Sequence, residues 1–265
     1  MGRSVYEPER GEVLFFEDEQ SLYIDYDGRV RVLCEADRGN VFGSFLPSQS
    51  DQTWLLSRLL LTLPLIELLR RRQRWSVHAA CVSTGCGGLL VAGTSGCGKS
   101  TLALALVRAG CDFLSDDLVF LARRNGDLNG LAFPEPVDVT DDTIRLLPEL
   151  RPLLDTPPRA GWPKRQVPVE QVYGASIERE CRPLMLVIPR IGDGVGSRLQ
   201  PMAMRDALLE LAPNVLLTDP ATSQAHLRVL AELAGGVACY RLETGSDLAA
   251  AAELLRSALL SAGQA

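Results

Sequence analysis

The chain has 265 residues, of which 46% are hydrophobic, so it can bury a full core as one large domain or as one domain with a small appendage. Its formal net charge of -6 argues against broad nucleic-acid binding, which usually requires a basic domain or stripe. Nucleic acid is therefore excluded as an expected main partner.

The cysteines argue against a metal-binding or disulfide-rich protein. The seven cysteines form no C-x-x-C pair, and only two histidines could join them, so a zinc site is not expected. An odd number of cysteines fits reduced thiols better than a disulfide framework. The acidic start of the chain, with Glu7, Glu9 and Glu12, does not resemble a targeting peptide. We therefore expect a cytoplasmic protein.

Residues 1–48 predict a small β-rich module. Short strands are predicted at residues 13–16, 22–26 and 30–33, and Asp27-Gly28 predicts a hairpin turn between the last two. No residue pattern in this module indicates a function.

Residues 49–74 predict a helical connector. Its segment 54–69 is strongly apolar but is interrupted by Arg58, Pro64 and Glu67, and a bilayer crossing needs about 20 mostly apolar residues. Stable membrane insertion is therefore not expected. The segment predicts a packed helix, kinked or split at Pro64, with arginines at its negative dipole end. Attachment to a membrane surface is the alternative.

The segment 93–100 fits the phosphate-binding pattern G-x-x-x-x-G-K-[ST]. In this pattern backbone N–H groups surround a phosphate, the lysine supplies a cation, and the following hydroxyl can ligate magnesium. A glycine-rich turn with a solvated lysine is the alternative. The candidate nucleotide-binding residues are Gly93, Thr94, Ser95, Gly96, Cys97, Gly98, Lys99, Ser100 and Thr101.

The residues around this segment favour nucleotide binding. Residues 88–92 are an apolar run typical of a buried strand, and residues 100–109 predict a helix that ends at Gly110. The positive dipole end of that helix would face an anion. The strand is preceded by a tight turn and an alternating segment at 76–83, so an antiparallel hairpin leads into the loop.

The hairpin makes a prediction for His78. If its centre is Cys86, His78 lies opposite Thr94 and faces the terminal phosphate of a bound nucleotide. Histidine is the commonest proton carrier at neutral pH, which favours a role in proton transfer. The alternative is a structural histidine that is hydrogen-bonded within the hairpin.

Two adjacent carboxylates, Asp116 and Asp117, follow the apolar strand predicted at residues 111–115. Such a pair is tolerated where a cation neutralises it, which favours magnesium binding or handling of a proton beside the phosphate loop. An N-cap or a solvated turn is the alternative. Another apolar strand, at 184–189, is followed by Arg190 rather than by an acid, so the pair provides the best candidate carboxylates.

The remaining core contains a proline-rich stretch and a helical C-terminal part. Residues 133–165 predict a long lid or recognition loop, in which Lys164 or Arg165 would close on transferred phosphate. The alternative is that these two side chains are simply solvated. Helices are predicted at 201–211, 220–234 and 247–260, the last capped by Ser246, with a strand at 236–242. These elements complete a covered sheet.

The segments 77–80 (Val-His-Ala-Ala), 93–100 and 114–117 (Leu-Ser-Asp-Asp) together resemble the HPr kinase/phosphorylase family and its shorter bacterial relatives, including the kinases of lasso peptide gene clusters. The match is tight over residues 76–121 and loose to residue 242. The resemblance implies an α/β fold over residues 75–265. This is a P-loop core of the HPr kinase/phosphoenolpyruvate carboxykinase type, entered through an antiparallel hairpin and preceded by the β-rich module.

The resemblance also implies roles for single residues. His78 would lie beside the site, Lys99 would bind phosphate, and Ser100 with Asp117 would hold magnesium, while Asp116 would be the general base on the acceptor hydroxyl. The glutamate-containing signature that marks HPr kinases is not recognisable downstream of the acids. Glu135 is the candidate for a similar role.

The expected function is therefore that of an ATP- and magnesium-dependent kinase, with a serine of a small protein or peptide as acceptor. The alternatives are a nucleotide-responsive regulatory protein with little catalysis and a kinase for a small hydroxylated metabolite. The chain has no N-K-x-D or L-S-G-G-Q motif, so neither a GTPase nor an ABC ATPase fits. A homo-oligomer is compatible with the sequence, which contains no feature that determines the oligomeric state.

Overall fold

The computed structural model describes residues 13–17, 21–133, 135–158, 162–214 and 220–264. Mixed α/β structure is observed, as predicted, and the chain divides into two compact units. The first unit comprises residues 1–75, 158–163 and 216–226, and the second comprises residues 76–157, 164–215 and 227–265. The acidic residues at positions 7, 9 and 12 lie outside the described residues.

A four-stranded antiparallel sheet forms the β-rich part of the first unit, in the order β1-β2-β3-β4. Its strands are β1 Val13–Glu17, β2 Ser21–Tyr26, β3 Val30–Glu35 and β4 Asn40–Phe45. The turn between β2 and β3 contains Asp27 and Gly28 with positive φ angles of 50° and 66°. Strand β4 was not predicted separately, because all six of its residues are exposed and no alternation marks it.

The connector is helical, and its middle turn is π-helical. Helix α1 (Thr53–Ser57) continues into the π-helical turn Arg58–Thr62 and then into helix α2 (Leu63–Arg70). The wider turn directly precedes Pro64, which cannot donate an N–H to the preceding turn. The predicted interruption therefore lies just before Pro64.

The apolar segment of the connector covers the sheet. Leu59 and Leu63 pack in one core with residues of β2 and β3, including Ile24 and Val32. In the part of the chain that the structure describes, no helix has the length and apolar character needed to cross a bilayer.

Arg70 lies in the last turn of α2, at the negative dipole end where arginines were predicted, but its side chain does not face solvent. The side chain of Arg70 is 1% exposed and forms an ion pair with Glu67, which is equally buried. Arg71 Nε also lies 3.2 Å from Glu67 Oε1. A buried ion pair is intolerant of losing one partner, because the remaining charge is left without compensation.

We predict that Glu67→Ala lowers the free energy of unfolding by about 3–5 kcal/mol, because it leaves the Arg70 guanidinium buried without its carboxylate. The matched control is Arg38→Ala, which removes an ion pair with Glu35 whose arginine is 74% exposed and should cost at most about 1 kcal/mol. Urea unfolding measures both. Equal losses in the two variants would contradict the prediction.

Smaller sheets and a central sheet contain the remaining strands. They are β5 Trp75–Val77, β6 Ala79–Thr84, β7 Gly87–Ala92, β8 Asp112–Ser115, β9 Val119–Arg124, β10 Asp127–Ala132, β11 Val137–Val139, β12 Arg165–Val167, β13 Glu180–Cys181, β14 Pro183–Ile191, β15 Arg198–Pro201 and β16 Ala238–Thr244. The central sheet has the order β15-β16-β14-β7-β6-β8, a second sheet has the order β13-β10-β9-β5, and β11 pairs with β12.

The direction of the central strands determines where the site lies. Strands β7, β14 and β16 are parallel, while β6 is antiparallel to both of its neighbours, β7 and β8. Strand β8 therefore runs in the same direction as β7. The start of β6 and the ends of β7 and β8 consequently lie at one edge of the sheet.

Strands β6 and β7 form a hairpin with the two-residue turn Gly85-Cys86. Their register pairs Ala79 with Ala92 and Thr84 with Gly87. Continued by one residue, it places His78 opposite Gly93. The predicted pairing with Thr94 was wrong by one residue, because the centre of the turn lies between residues 85 and 86 and not on Cys86.

The helices after α2 are α3 Lys99–Arg108, α4 Asp141–Leu146, α5 Val169–Tyr173, α6 Met204–Leu211, α7 Pro220–Gly236 and α8 Leu248–Ala262. Helices α3 and α8 contact each other and the central sheet. Seven of the ten residues of α3 are buried, with an unbroken run from Leu102 to Val107. The helix that carries the end of the glycine loop is thus part of the hydrophobic core.

The C-terminal predictions differ from the structure in two details. Residues 198–201 form strand β15, so the helix predicted from residue 201 begins at Met204. Helix α8 is capped by Asp247, which accepts a hydrogen bond from the Ala250 N–H at 2.9 Å, and not by Ser246.

The proline-rich stretch is more ordered than the predicted long loop. It contains β11, α4, a 3-10 helical segment at Pro148–Asp155 and β12. Trp162 stacks on Trp54 within the first unit, with ring centroids 3.8 Å apart. The described residues between 137 and 167 therefore form several short elements.

Candidate active site

The sequence-predicted residues meet at the edge of the central sheet where β6 begins and β7 and β8 end. The glycine loop follows β7, His78 precedes β6, and the acid pair follows β8. The Ser100 hydroxyl donates a hydrogen bond to Asp116 Oδ2 at 2.9 Å, and His78 Nδ1 lies 2.8 Å from the Asp117 carbonyl oxygen. The structure thus brings the loop helix and the histidine to the acid pair.

The loop between β7 and α3 adopts a backbone that requires glycine. Gly93 and Gly98 have φ angles of 142° and 93°. Gly98 is the N-cap of α3 and provides no side-chain cap. The first N–H groups of a helix have no acceptor within the helix and are suited to bind an anion. Thr94, Ser95 and Gly96 are exposed. The loop can therefore bind an anion with backbone N–H groups.

Lys99 places a positive charge at the base of this loop. The residue is 5% exposed, and its ammonium donates hydrogen bonds to the carbonyl oxygens of Gly93 at 3.0 Å and Thr94 at 3.2 Å. These acceptors are neutral, so they do not cancel the charge. A phosphate entering the loop would gain this cation as well as the backbone N–H groups.

Asp116 is a buried carboxylate at the end of β8. It is 2% exposed, and its Oδ1 atom is buried without a hydrogen-bond partner among the residues that the structure describes. Its pKa is raised from 3.8 to about 7, first by burial and next by the neighbouring Asp117, while Ser100, Lys164 and Lys99 act in the opposite direction. This carboxyl is poised to gain a cation.

Asp117 occupies a strained turn. Its φ is 60°, and the Leu118 N–H donates to the Asp116 carbonyl oxygen at 2.7 Å, which makes Asp117 the centre of a γ-turn with positive φ. A non-glycine residue in such a conformation costs on the order of 1–3 kcal/mol and persists only where its surroundings hold it. The sequence shows nothing of this turn, because positive φ at an aspartate has no reliable pattern.

The His78 contact determines which ring nitrogen carries the proton. The Asp117 carbonyl oxygen can only accept, so Nδ1 is the donor. In the neutral ring Nε2 then holds the lone pair, which is the arrangement of a proton acceptor oriented by its other nitrogen. The histidine thus positions the Asp117 backbone and retains a nitrogen that can exchange a proton.

The oxygen atoms of Ser100 and Asp116 fit a magnesium ion. Magnesium prefers oxygen ligands, and the Asp116 Oδ1 atom is a buried acceptor without a hydrogen bond beside the Ser100 hydroxyl. Among the described residues no group of three or more histidine, cysteine, aspartate or glutamate side chains is arranged to hold a metal. Phosphate oxygens and water would therefore complete the octahedral ligand set.

Lys164 and Arg165, both expected at the site, interact with different partners. Lys164 interacts electrostatically with Asp116. Arg165 instead forms an ion pair with Asp141 and donates to the Thr156 carbonyl oxygen at 2.9 Å. Of the two cations predicted to approach transferred phosphate, the structure associates Lys164 with the acid pair.

Thr101 and Glu135 form hydrogen bonds with segments that follow the acid pair along the chain. The Thr101 hydroxyl lies 2.8 Å from the Thr143 hydroxyl and so contacts α4. Glu135 is half-buried and follows a segment bonded to Ser115, whose hydroxyl accepts from the Phe133 N–H at 3.2 Å. Ser115 was not singled out from the sequence. The available signal was a hydroxyl residue at the end of an apolar strand, directly before the acids.

Comparisons with known proteins agree with these features. The family model described as HPr Serine kinase C-terminal domain matches residues 70–138, which contain the hairpin, the glycine loop and the acid pair. This stretch is therefore HPr kinase-like, and the resemblance indicated by the three sequence segments is confirmed.

Two curated relatives, both named HPr kinase/phosphorylase, come from strains of Clostridium botulinum. The relative from strain Eklund 17B / Type B is 33% identical over 106 residues, covering 40% of this chain and 33% of its own length. The relative from strain Alaska E43 / Type E3 is 35% identical over 96 residues, covering 36% of this chain and 30% of its own length. The chain thus matches about a third of the length of these relatives.

A solved structure is also similar in part, the Hpr(Ser) kinase/phosphatase from Coxiella burnetii. It is 14% identical, with 71% of this chain and 90% of that chain covered, and the TM-score is 0.37.

We predict that Asp116→Asn stabilises the metal-free protein at pH 8. A carboxyl whose pKa rises from 3.8 to about 7 on folding opposes folding by up to roughly 4 kcal/mol above pH 7, whereas asparagine keeps an acceptor for the Ser100 hydroxyl. We expect a gain of about 1–3 kcal/mol in the free energy of unfolding.

The sign of the pH dependence follows from the raised pKa. At low pH Asp116 of the wild type is protonated and does not oppose folding, but it loses its proton as the pH rises through about 7. The difference in the free energy of unfolding between Asp116→Asn and wild type should therefore be smaller at pH 5 than at pH 8. Urea unfolding in a chelator at both pH values measures this. Asp112→Asn, at the half-buried start of β8, is the control. A gain that is equal at both pH values, or equal in the control, would refute the buried-charge explanation.

Proposed function

We propose that the chain is an ATP- and magnesium-dependent kinase that transfers the γ-phosphoryl group to a hydroxyl, and that the acceptor is a serine of a peptide or small protein. The observation that carries this proposal is the 2.9 Å hydrogen bond from Ser100 to Asp116, because it joins the helix of the phosphate loop to the acid pair. The names of the curated relatives and the family match over residues 70–138 support the same class of reaction.

The phosphate loop would bind the nucleotide. The backbone N–H groups of residues 93–98 and the Lys99 ammonium would hold the β- and γ-phosphates, since the ammonium lies at the loop, bonded to the carbonyl oxygens of Gly93 and Thr94. Bound magnesium supplies neutralisation of the phosphate charge during transfer. Lys164, which interacts with Asp116, would add positive charge at the same place.

We propose that the roles of Asp116 and Asp117, as magnesium ligand and general base, are the reverse of those expected from the sequence. Asp116 would hold magnesium together with Ser100, because the structure pairs these two side chains and leaves Asp116 almost inaccessible. Asp117 would accept the proton of the acceptor hydroxyl, because it is only half-buried and its turn projects from the strand end. His78 would orient Asp117 through its carbonyl oxygen.

The wider architecture enters the same proposal. Residues 75–265 would form a P-loop kinase core of the HPr kinase/phosphoenolpyruvate carboxykinase type, preceded by the β-rich module at 1–48 and the connector at 49–74. The hairpin that leads into the loop and the acid pair after the neighbouring strand support this assignment. We further propose a cytoplasmic location, in keeping with seven free thiols.

The proposed activity is tested by incubating the protein with magnesium and ATP labelled in the γ-phosphate, together with bacterial HPr, a library of serine-centred peptides and a mixture of small hydroxylated metabolites. Label in a peptide or in HPr supports the kinase. Free phosphate alone would identify a hydrolase, and neither product would favour a nucleotide-responsive regulatory protein. Label in a small hydroxylated metabolite would identify a metabolite kinase and overturn the peptide acceptor.

Two variants should separate binding from transfer. Lys99→Ala should weaken ATP binding by about 10-fold or more, because a charge-assisted contact to phosphate is lost. Asp117→Asn should leave the nucleotide Kd within about threefold and lower kcat by about 100- to 10,000-fold, as expected for loss of a general base. Isothermal titration and labelled-ATP kinetics measure these changes.

Asp116→Asn distinguishes the two possible orders of the acids. If Asp116 acts with magnesium, this variant should lose most of the magnesium-dependent part of ATP affinity, measured as the ratio of Kd values with and without the metal. Unchanged magnesium dependence combined with lost transfer would instead assign the base role to Asp116. Asp112→Asn again serves as the control.

A further inference from the structure

We propose that Ser115 is a positioning residue for the acid pair: its hydroxyl clamps the turn that orients the Asp117 carboxylate and joins this turn to the segment leading to Glu135. This inference rests on the proposed function, in which Asp117 handles the acceptor proton. It concerns a residue that touches neither nucleotide nor acceptor and acts only through the backbone around it.

The first observation is the hydrogen bonding of a side chain with no solvent exposure. Ser115 is 0% exposed, and its hydroxyl lies 2.6 Å from the Leu118 carbonyl oxygen and 3.0 Å from the Phe133 carbonyl oxygen, to which it can donate. The same oxygen accepts the Phe133 N–H at 3.2 Å. A single hydroxyl therefore connects the end of β8 to two other segments of backbone.

The second observation is the strain between the clamped points. Leu118 closes the γ-turn by donating its N–H to Asp116, and Asp117 is held at a φ of 60° in the middle. Ser115 bonds the carbonyl oxygen of Leu118 on one side of the turn, and His78 bonds the carbonyl oxygen of Asp117 on the other. Without the Ser115 hydrogen bond, the strained backbone at Asp117 loses one of its restraints and can relax toward negative φ. This change would redirect the Asp117 carboxylate.

The third observation concerns Glu135. The Glu135 N–H donates to the Phe133 carbonyl oxygen at 2.8 Å, so the backbone bonded by Ser115 is also bonded to Glu135. The clamp thus fixes the segment carrying Glu135 relative to the acid pair. Among the residues that the structure describes, neither the phosphate loop nor Lys99 forms a side-chain hydrogen bond with Ser115, so nucleotide affinity should not depend on it.

The test compares wild type, Ser115→Ala and Ser115→Thr, with Ser83→Ala as the matched control, because Ser83 is a buried serine on the adjacent strand β6. The kinetic readouts are kcat and KM for ATP, measured for ATP hydrolysis and for transfer to any acceptor that becomes labelled. The other readouts are the Kd of a fluorescent N-methylanthraniloyl ATP and the melting temperature. Crystal structures of wild type and Ser115→Ala give the φ angle of Asp117.

We expect Ser115→Ala to lower kcat by about 100-fold while KM and the Kd of the fluorescent nucleotide stay within about twofold. Ser115→Thr, which keeps the hydroxyl, should recover a substantial part of kcat. Ser83→Ala should retain the wild-type kcat. The φ angle of Asp117 should move to negative values in Ser115→Ala.

An unchanged kcat in Ser115→Ala would overturn the proposal. So would a parallel loss of kcat and nucleotide affinity that only follows the melting temperature, since this describes a structural residue. If the wild type itself neither hydrolyses ATP nor transfers phosphate, the proposed function fails. The positioning role is then judged on the backbone alone, and an Asp117 that keeps its positive φ in Ser115→Ala overturns it as well.

Discussion

The burial of the Asp116 charge is the constraint on which the arrangement of the site depends. A carboxylate with almost no access to water destabilises the fold unless donors or cations compensate for it. The compensating groups are the Ser100 hydroxyl and the ammonium groups of Lys99 and Lys164. Ser100 and Lys99 belong to the first turn of α3, so compensating the charge also draws the glycine loop toward the end of β8. The same interaction that limits stability therefore assembles the site.

The strand order explains why this compensation is geometrically possible. Strand β6 lies between β7 and β8 and runs against both. The start of β6 and the ends of β7 and β8 therefore share one edge of the sheet. At each of these three points lies a residue or loop that can bind phosphate or metal or carry a proton. The histidine, the loop and the acids are brought together by three adjacent strands, although up to 39 residues separate them along the chain.

Much of this site could be predicted from sequence, because its parts are encoded locally. The glycine pattern determines the backbone of the loop, the apolar runs before the loop and before the acids predict buried strands, and the short turn predicts a hairpin. The details that failed depend on a single residue of register or on distant partners. A turn centred between residues 85 and 86 moves His78 from Thr94 to Gly93.

Other features carry no local pattern. Ser100 contacts Asp116 rather than Asp117, and Asp117 has a positive φ; no neighbouring residue predicts either feature. Arg165 is bound to Asp141, 24 residues earlier, and strand β4 is exposed throughout. Ser115 is a small polar residue whose importance is visible only when the segment at Phe133 folds back onto it.

The most direct measurement of the central claim is a crystal structure with magnesium and a non-hydrolysable ATP analogue. The account predicts the β- and γ-phosphates in the loop at residues 93–98, and the metal between the phosphates and the Ser100–Asp116 pair, with Asp117 facing the open side of the γ-phosphate. A triphosphate bound elsewhere, or a metal held by Asp117 and away from Ser100, would contradict it.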